Sequence, residues 1–178
     1  MRAESVAANY AEALFQLGER GGKAEQYASL LEAVAGAVRD TPLVRAVMMS
    51  PKVTKAAKAG ILARGLSQAP PEFVLFLQAV VKRGRQDLLA EIALAYRGLL
   101  DTKFNRVRAT VTVARPPEAE LQQALTAALA EVVGKEVLAE FQVDPEVLGG
   151  VIVRIDDRIY DGSVRRRMTR LRRQLLAR

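Results

Sequence analysis

RVRATVTVA, Arg106 to Ala114, is the stretch on which the reading of this chain turns. Val107, Ala109, Val111 and Val113 alternate with Arg106, Arg108, Thr110 and Thr112. A period of two describes a strand with one face buried and one face polar. Everything before it repeats at helical spacing, so the chain divides near Lys103 into a helical part and a mixed part.

Working back from that point, six helices are expected. The first runs from Ser5 to Arg20, with Val6, Tyr10, Ala13, Leu14 and Leu17 recurring on one side and Gly21-Gly22 where a C-terminal cap belongs. A second spans about Lys23 to Arg39. Thr41-Pro42 then reads as an N-cap followed by proline in the first turn, opening a short helix to about Met49. Thr54 caps a fourth helix reaching Leu66. The fifth starts near Pro70-Pro71 and contains FVLFLQAVV, Phe73 to Val81, in which Gln78 is the sole polar residue. A helix apolar on every side is either enclosed or keeps a face for a partner. Gly84 ends it, and Asp87 to Asp101 supplies the sixth.

Working forward, Glu118 to Val133 reads as a helix with acids in its first turn and Gly134 beyond its end. Val137, Ala139, Phe141 and Val143 alternate as a second strand, DPEV makes a turn, and VIVRI and RIYD form a hairpin around Asp156-Asp157. The last helix opens at Ser163. The expected fold is therefore mainly α: a six-helix bundle over residues 1–104, followed by a small α/β domain over 105–178 with a few short strands and a C-terminal helix.

Composition narrows the chemistry. The 178 residues contain no Cys and no His, which removes disulfides, thiolate nucleophiles, imidazole bases and the usual zinc and haem ligands. Glu4 and Glu12 interrupt an N-terminus that lacks the apolar core of a signal peptide, and no apolar run approaches the roughly 20 residues of a membrane span. A soluble protein, cytoplasmic if bacterial, is the expectation. The net charge of +7 is concentrated at the end: seven arginines and no acid follow Asp161, and the remaining 20 basic residues balance 20 acids. A neutral body with a basic tail suits an acidic protein, a nucleic acid or an anionic membrane surface.

The segment GGVIVRIDDRIYDGSVRRR, Gly149 to Arg167, invites a ligand-binding interpretation and resists it. Phosphate-gripping glycines follow a strand and open a helix, whereas Gly149-Gly150 precede a strand. Three aspartates flanked by Arg154 and Arg158 lack calcium-loop spacing. Ser163 has no histidine to activate it and is expected to cap the final helix. Gly149, Gly150, Asp161, Gly162 and Ser163 are thus assigned structural roles, and no cofactor or metal site is expected. In the final helix Val164, Met168, Leu171 and Leu175 form a narrow apolar stripe, expected to attach the helix to the sheet, with arginines on the other faces. That basic surface is either simply solvated or a docking face.

Taken together, DPEVLGGVIVRIDDRIYDGSVRRRMTRLRRQL resembles the C-terminal signature of the delta subunit of rotary ATP synthases, whose mitochondrial counterpart is the oligomycin-sensitivity-conferring protein. YAEALFQL, SPKVTKAAKAGIL, KRGRQDLLAEI and VTVARP extend the likeness along the chain. Asp156 stands where the family usually has Gly, Pro117 where it usually has Leu, and Ser50 where Asn commonly precedes the proline. The resemblance implies a stator protein without catalysis of its own. Its helical bundle would cap the catalytic head by binding N-terminal segments of the alpha subunits, and its C-terminal domain would bind the peripheral-stalk b subunits. On that basis Tyr10, Ala13, Leu14, Leu75 and Ala79 are expected to line the head-binding groove, and Arg165, Arg166 and Arg170 to meet the stalk. It further implies, for a bacterial source, attachment to the cytoplasmic face of the cell membrane only through the complex, with no homo-oligomer and no nucleic acid. The competing reading is a nucleic-acid-binding protein using the arginine helix. Against it stand the lack of an aromatic platform or GXXG loop and a bundle without a basic stripe.

Overall fold

The computed structural model describes residues 3–155 and 157–176. Contacts divide the chain into two units, Met1–Asp101 and Thr102–Arg178. The fold is mainly helical with one small four-stranded sheet.

The first unit is built from α1 (Ala3–Arg20), α2 (Ala24–Asp40), α3 (Pro42–Met49), α4 (Lys55–Gly65), α5 (Pro71–Lys82) and all but the last two residues of α6 (Leu89–Lys103). Local chemistry accounts for most of the boundaries. Thr54 accepts a hydrogen bond from Ala57 N and so caps α4. Gly22 and Gly84 adopt positive φ where α1 and α5 end. Thr41 precedes α3 but makes no side-chain cap bond, so Pro42 alone marks that start. The residues expected to open the sixth helix instead form a single 3-10 turn, Gln86–Leu88, before α6. Ser50 accepts from Lys52 N in the break after α3.

The core of this unit joins α1, α2, α5 and α6 through Ala7, Ala11, Leu14, Tyr27, Leu31, Phe73, Leu77, Val80, Ile92 and Tyr96. Gly18 sets the closeness of the helices: a Cβ there would lie 2.9 Å from Tyr96 Oη and 3.0 Å from Ala24 Cα. Tyr96 is buried and donates to the Ala24 carbonyl at 2.9 Å, and burial pushes its phenol pKa up. Most of the apolar side chains of α5 are buried here. Phe73, Phe76, Leu77, Val80 and Val81 are buried, which narrows the surplus apolar surface expected on α5 to a stripe through Leu75 and Ala79.

The second unit has strand order β2-β1-β3-β4, with β1 Arg106–Val113, β2 Glu136–Val143, β3 Val151–Ile155 and β4 Arg158–Asp161. β1 and β2 are parallel, from Arg106↔Glu136 to Val113↔Val143, and α7 (Ala119–Val133) makes the crossover that parallel pairing requires. β3 runs antiparallel to β1 on its other side, and β4 follows β3 as a hairpin. Val107, Ala109, Val111, Val113, Val137, Val153 and Ile155 form the buried face, covered by Leu125, Leu129, Ala130 and Val133 of α7. Gly134 ends α7 in the left-handed region at φ 69°. Pro117 lies in the β1–α7 connection, where its carbonyl accepts from Gln122. Asp156, expected in the turn of this hairpin, lies outside the described residues. The final helix, α8 (Val164–Leu176), contains no buried residue.

Candidate functional site

Two exposed surfaces, one in each unit, combine apolar area with concentrated cationic charge. The first is centred on α5. With about 100° per residue, Leu75, Ala79 and Lys82 share one outward stripe, while Phe76 and Arg83 turn toward α1. Tyr10 of α1 is half-buried, meets the Phe76 ring edge-on at 6.3 Å and accepts a 3.4 Å hydrogen bond from Arg83. Ala13 is exposed one turn further along α1, and Leu17 continues the same side. On the other flank, Lys55, Ala56 and Ala59 of α4 join Leu75, Gln78, Ala79 and Lys82 around a shallow depression of about 510 Å³. Leu75 is 64% exposed on its rim. Lys55 donates to the Lys82 carbonyl at 2.9 Å, neutralising the C-terminal end of α5.

Among the residues expected at this surface, Leu14 is misplaced. Its side chain is fully buried in the core cluster, so it supports the groove from beneath and presents nothing to a partner. The apolar spacing of α1 is wide enough to include both an inner and a lateral face, and periodicity alone does not separate them. Leu17 was expected only on the apolar side of α1, and Ala56 and Ala59 were not expected at this surface. For the two alanines the sequence carries no signal, because small residues on an exposed helix look alike whether or not a neighbour makes them a wall.

The second surface surrounds α8. The Gly149-Gly150 pair, Gly162 and Ser163 together anchor the first turn of the helix. Gly150 adopts φ +76°, Gly162 N donates to Val151 O at 2.9 Å, and Val164 N donates to Gly149 O at 2.9 Å. Ser163 is buried and its Oγ accepts from Arg166 N at 3.1 Å, the geometry of an N-cap. Asp161 Oδ1 accepts from Ser163 N, and the hydrogen bonds from Ser163, first its side chain and then its backbone, hold the Asp161 carboxyl below the usual carboxylate range, helped by the charge of Arg166.

Beyond that turn α8 lies over a cleft of about 770 Å³. Arg165, Arg166, Thr169, Arg170 and Arg173 form one wall, and Asp144, Glu146, Val147, Ile152 and Asp161 form the other. Arg165 pairs with Glu146 at 2.8 Å, both side chains exposed. Arg165, Arg166 and Arg170, the three expected to act together, are thus on one side of the helix and border one cleft. The apolar stripe is where expectation fails. Met168, Leu171 and Leu175 are 58%, 57% and 67% exposed, so the stripe does not attach α8 to the sheet. The attachment is the capped first turn, and the cleft side of the helix is cationic.

Among the described residues no group of carboxylates is placed to hold a metal ion, and no helix is long and apolar enough to cross a membrane. What distinguishes the molecule is open helical surface, the chemistry of an assembly component. Comparison with known proteins agrees. A family model described as "ATP synthase delta (OSCP) subunit" matches residues 6–175. The chain is 39% identical over 176 residues to the ATP synthase subunit delta of Gemmatimonas aurantiaca, covering 98% of this chain and 95% of that one. It is 35% identical over 175 residues to the corresponding subunit of Anaeromyxobacter dehalogenans, covering 96% and 97%. Its fold matches a chain in the cryo-EM structure of the Toxoplasma gondii mitochondrial ATP synthase hexamer with a TM-score of 0.70 at 23% identity, over 97% of this chain and 98% of that one. The chain belongs to the ATP synthase delta (OSCP) subunit family, a stator component of the ATP synthase. The nucleic-acid alternative finds no support in these relatives.

Proposed function

We propose that this subunit joins the catalytic head to the peripheral stalk by holding a helical segment on each of its two surfaces, without catalysis of its own. The observation that carries the reading is the open stripe of α5. Leu75 and Ala79 remain exposed although Phe73, Phe76, Leu77, Val80 and Val81 of the same helix are buried. An amphipathic N-terminal helix of an alpha subunit laid along this stripe would cover Leu75, Ala79, Ala13 and the edge of Tyr10. Lys82 and Arg83 stand at the end of the stripe, where they favour a partner helix with acids there.

At the second surface, the C-terminal segment of a b subunit occupies the cleft beneath α8, with Arg165, Arg166 and Arg170 steering it in and Val147 and Ile152 supplying apolar contact. The helical unit therefore serves the head and the mixed unit the stalk, at the cytoplasmic face of the membrane in a bacterial cell. No second copy of the chain is needed. Rotor torque acts on such a link, so slow dissociation is the property that matters.

Calorimetry with an alpha N-terminal peptide tests the head surface. Ala79→Asp puts a charge on the open stripe without touching the core, and it is expected to abolish the binding heat while circular dichroism stays helical. Unchanged affinity would remove α5 from the interface.

A further inference from the structure

The stalk-facing residues use only one side of α8. On the opposite side Val164, Met168, Leu171 and Leu175 fall at i, i+4, i+7 and i+11, and none of the four borders the cleft. Val164 touches the body, since a Cβ on Gly149 would meet its Cγ2 at 3.2 Å, but the stripe beyond it projects into solvent. Arg165 and Arg172 border the stripe on one side and Arg167 on the other. Arg165 is paired with Glu146 and Arg166 acts on Asp161. Among the described residues, Arg167, Arg170, Arg172 and Arg173 have no acidic partner.

We propose that this outward face of α8 docks the free subunit onto an anionic bilayer surface, with the helix lying in the plane of the headgroups. Three properties select this occupant. The stripe is bordered by Arg165, Arg167 and Arg172 and the helix has no acid, a uniform charge that matches a delocalised anionic plane better than the alternating charges of one protein partner. Its apolar face is an unbroken run of Val, Met and Leu side chains with no polar or aromatic residue to fix a register, which a fluid surface does not require and a specific helical partner does. Its exposed apolar residues are flanked by long cationic chains that reach headgroups while their stems stay in the acyl boundary. The 13-residue helix is about 20 Å long at 1.5 Å per residue, and among the described residues it is held to the body through its first turn, so it can lie flat without disturbing the sheet. Docking of this kind would concentrate the free subunit at the membrane, where its complex is assembled. It is independent of the stalk reading, because the arginine side facing the cleft stays available.

The test is co-sedimentation of the full chain with vesicles of 3:1 phosphatidylcholine and phosphatidylglycerol, beside vesicles of phosphatidylcholine alone. Binding to the anionic vesicles is expected, with loss of most of it in high salt and little binding to the neutral ones. Met168→Asp with Leu171→Asp should lower partitioning on the order of tenfold or more, with the circular dichroism spectrum and the affinity for a stalk b-subunit peptide unchanged. Absence of anionic binding overturns the proposal. So does equal binding by the double variant, which would assign the effect to the arginines alone. A double variant that loses stalk affinity yet still binds vesicles would move the stripe to the protein interface and also overturn it. Failure of the stalk reading is seen separately, as wild-type protein without affinity for the stalk peptide.

Discussion

A Cβ placed on Gly150 would lie 2.5 Å from the carbonyl oxygen of Gly162, closer than any real contact of that kind. The strand entering the hairpin and the residue leaving it therefore touch backbone to backbone, and Gly150 also has φ +76°. Gly150→Ala is expected to cost about 1–3 kcal/mol, because it adds both a left-handed strain and a backbone clash. Hydrogen exchange on the full chain should show lost protection in β3, β4 and the first turn of α8, with α1 to α6 unchanged. Full protection in the variant would mean that the contact is dispensable.

The Asp161–Ser163–Arg166 arrangement makes a pH prediction. Asp161 has its folded pKa lowered, so the folded state binds this proton less readily than the unfolded chain. Its stabilising contribution is complete above the unfolded carboxylate value, near 4, and disappears as pH falls through the lower folded value. Denaturant midpoints of wild type and Asp161→Asn should differ at neutral pH and converge in acid. A difference that persists at the acidic end would assign the effect of Asn to geometry instead.

Ser163→Ala removes the oxygen that accepts Arg166 N and is expected to cost about 1 kcal/mol, with fraying of α8 from its anchored end. Ser163→Asp keeps the acceptor and places a negative charge at the helix start, but Asp161 stands two residues away, so it should rescue capping only in part. Amide exchange of Arg165 to Arg167 reads the fraying directly.

Gly18 packs where α1, α2 and the Tyr96 ring converge. Gly18→Val would push against the Ala24 backbone and Tyr96 Oη together, and a loss of about 1–3 kcal/mol is expected in denaturant titration. Pairing it with Tyr96→Phe should recover part of that loss, since the hydroxyl is one of the two obstacles. A strictly additive double variant would show that the helix backbones, and not the phenol, set the limit.

Two leucines at helical spacing separate burial from periodicity. Leu14→Asp is expected to unfold the helical unit or cost more than about 3 kcal/mol, because a carboxylate enters a closed core. Leu171→Asp should change stability by no more than about 0.5 kcal/mol, because that side chain already faces water. Thermal melts followed by circular dichroism compare the two.

What the sequence determined by itself was the succession of elements and the class of protein. Period 3.6 up to Lys103, period 2 from Arg106, and Gly, Pro, Ser or Thr at the junctions are local signals, set by backbone geometry and capping within a few residues. The absence of His and Cys limited the chemistry in the same direct way. The tertiary structure alone decided which apolar residues face outward. Leu14 and Leu75 both recur on apolar helix faces, yet one is enclosed by α2, α5 and α6 and the other stands open between α1 and α4, a difference made by residues far away in the chain. The same holds for α8, whose stripe resembles a core face but remains in water because, among the described residues, the helix is held through its first turn, by the Val164–Gly149 hydrogen bond and the Arg165–Glu146 pair. Strand order was equally non-local. Alternation marked β1 and β2 as strands, but their parallel pairing, with β3 on the opposite edge of β1, depends on α7 covering one face of the sheet. Periodicity reports which side chains of an element share a face, and burial is conferred on that face only by what packs against it.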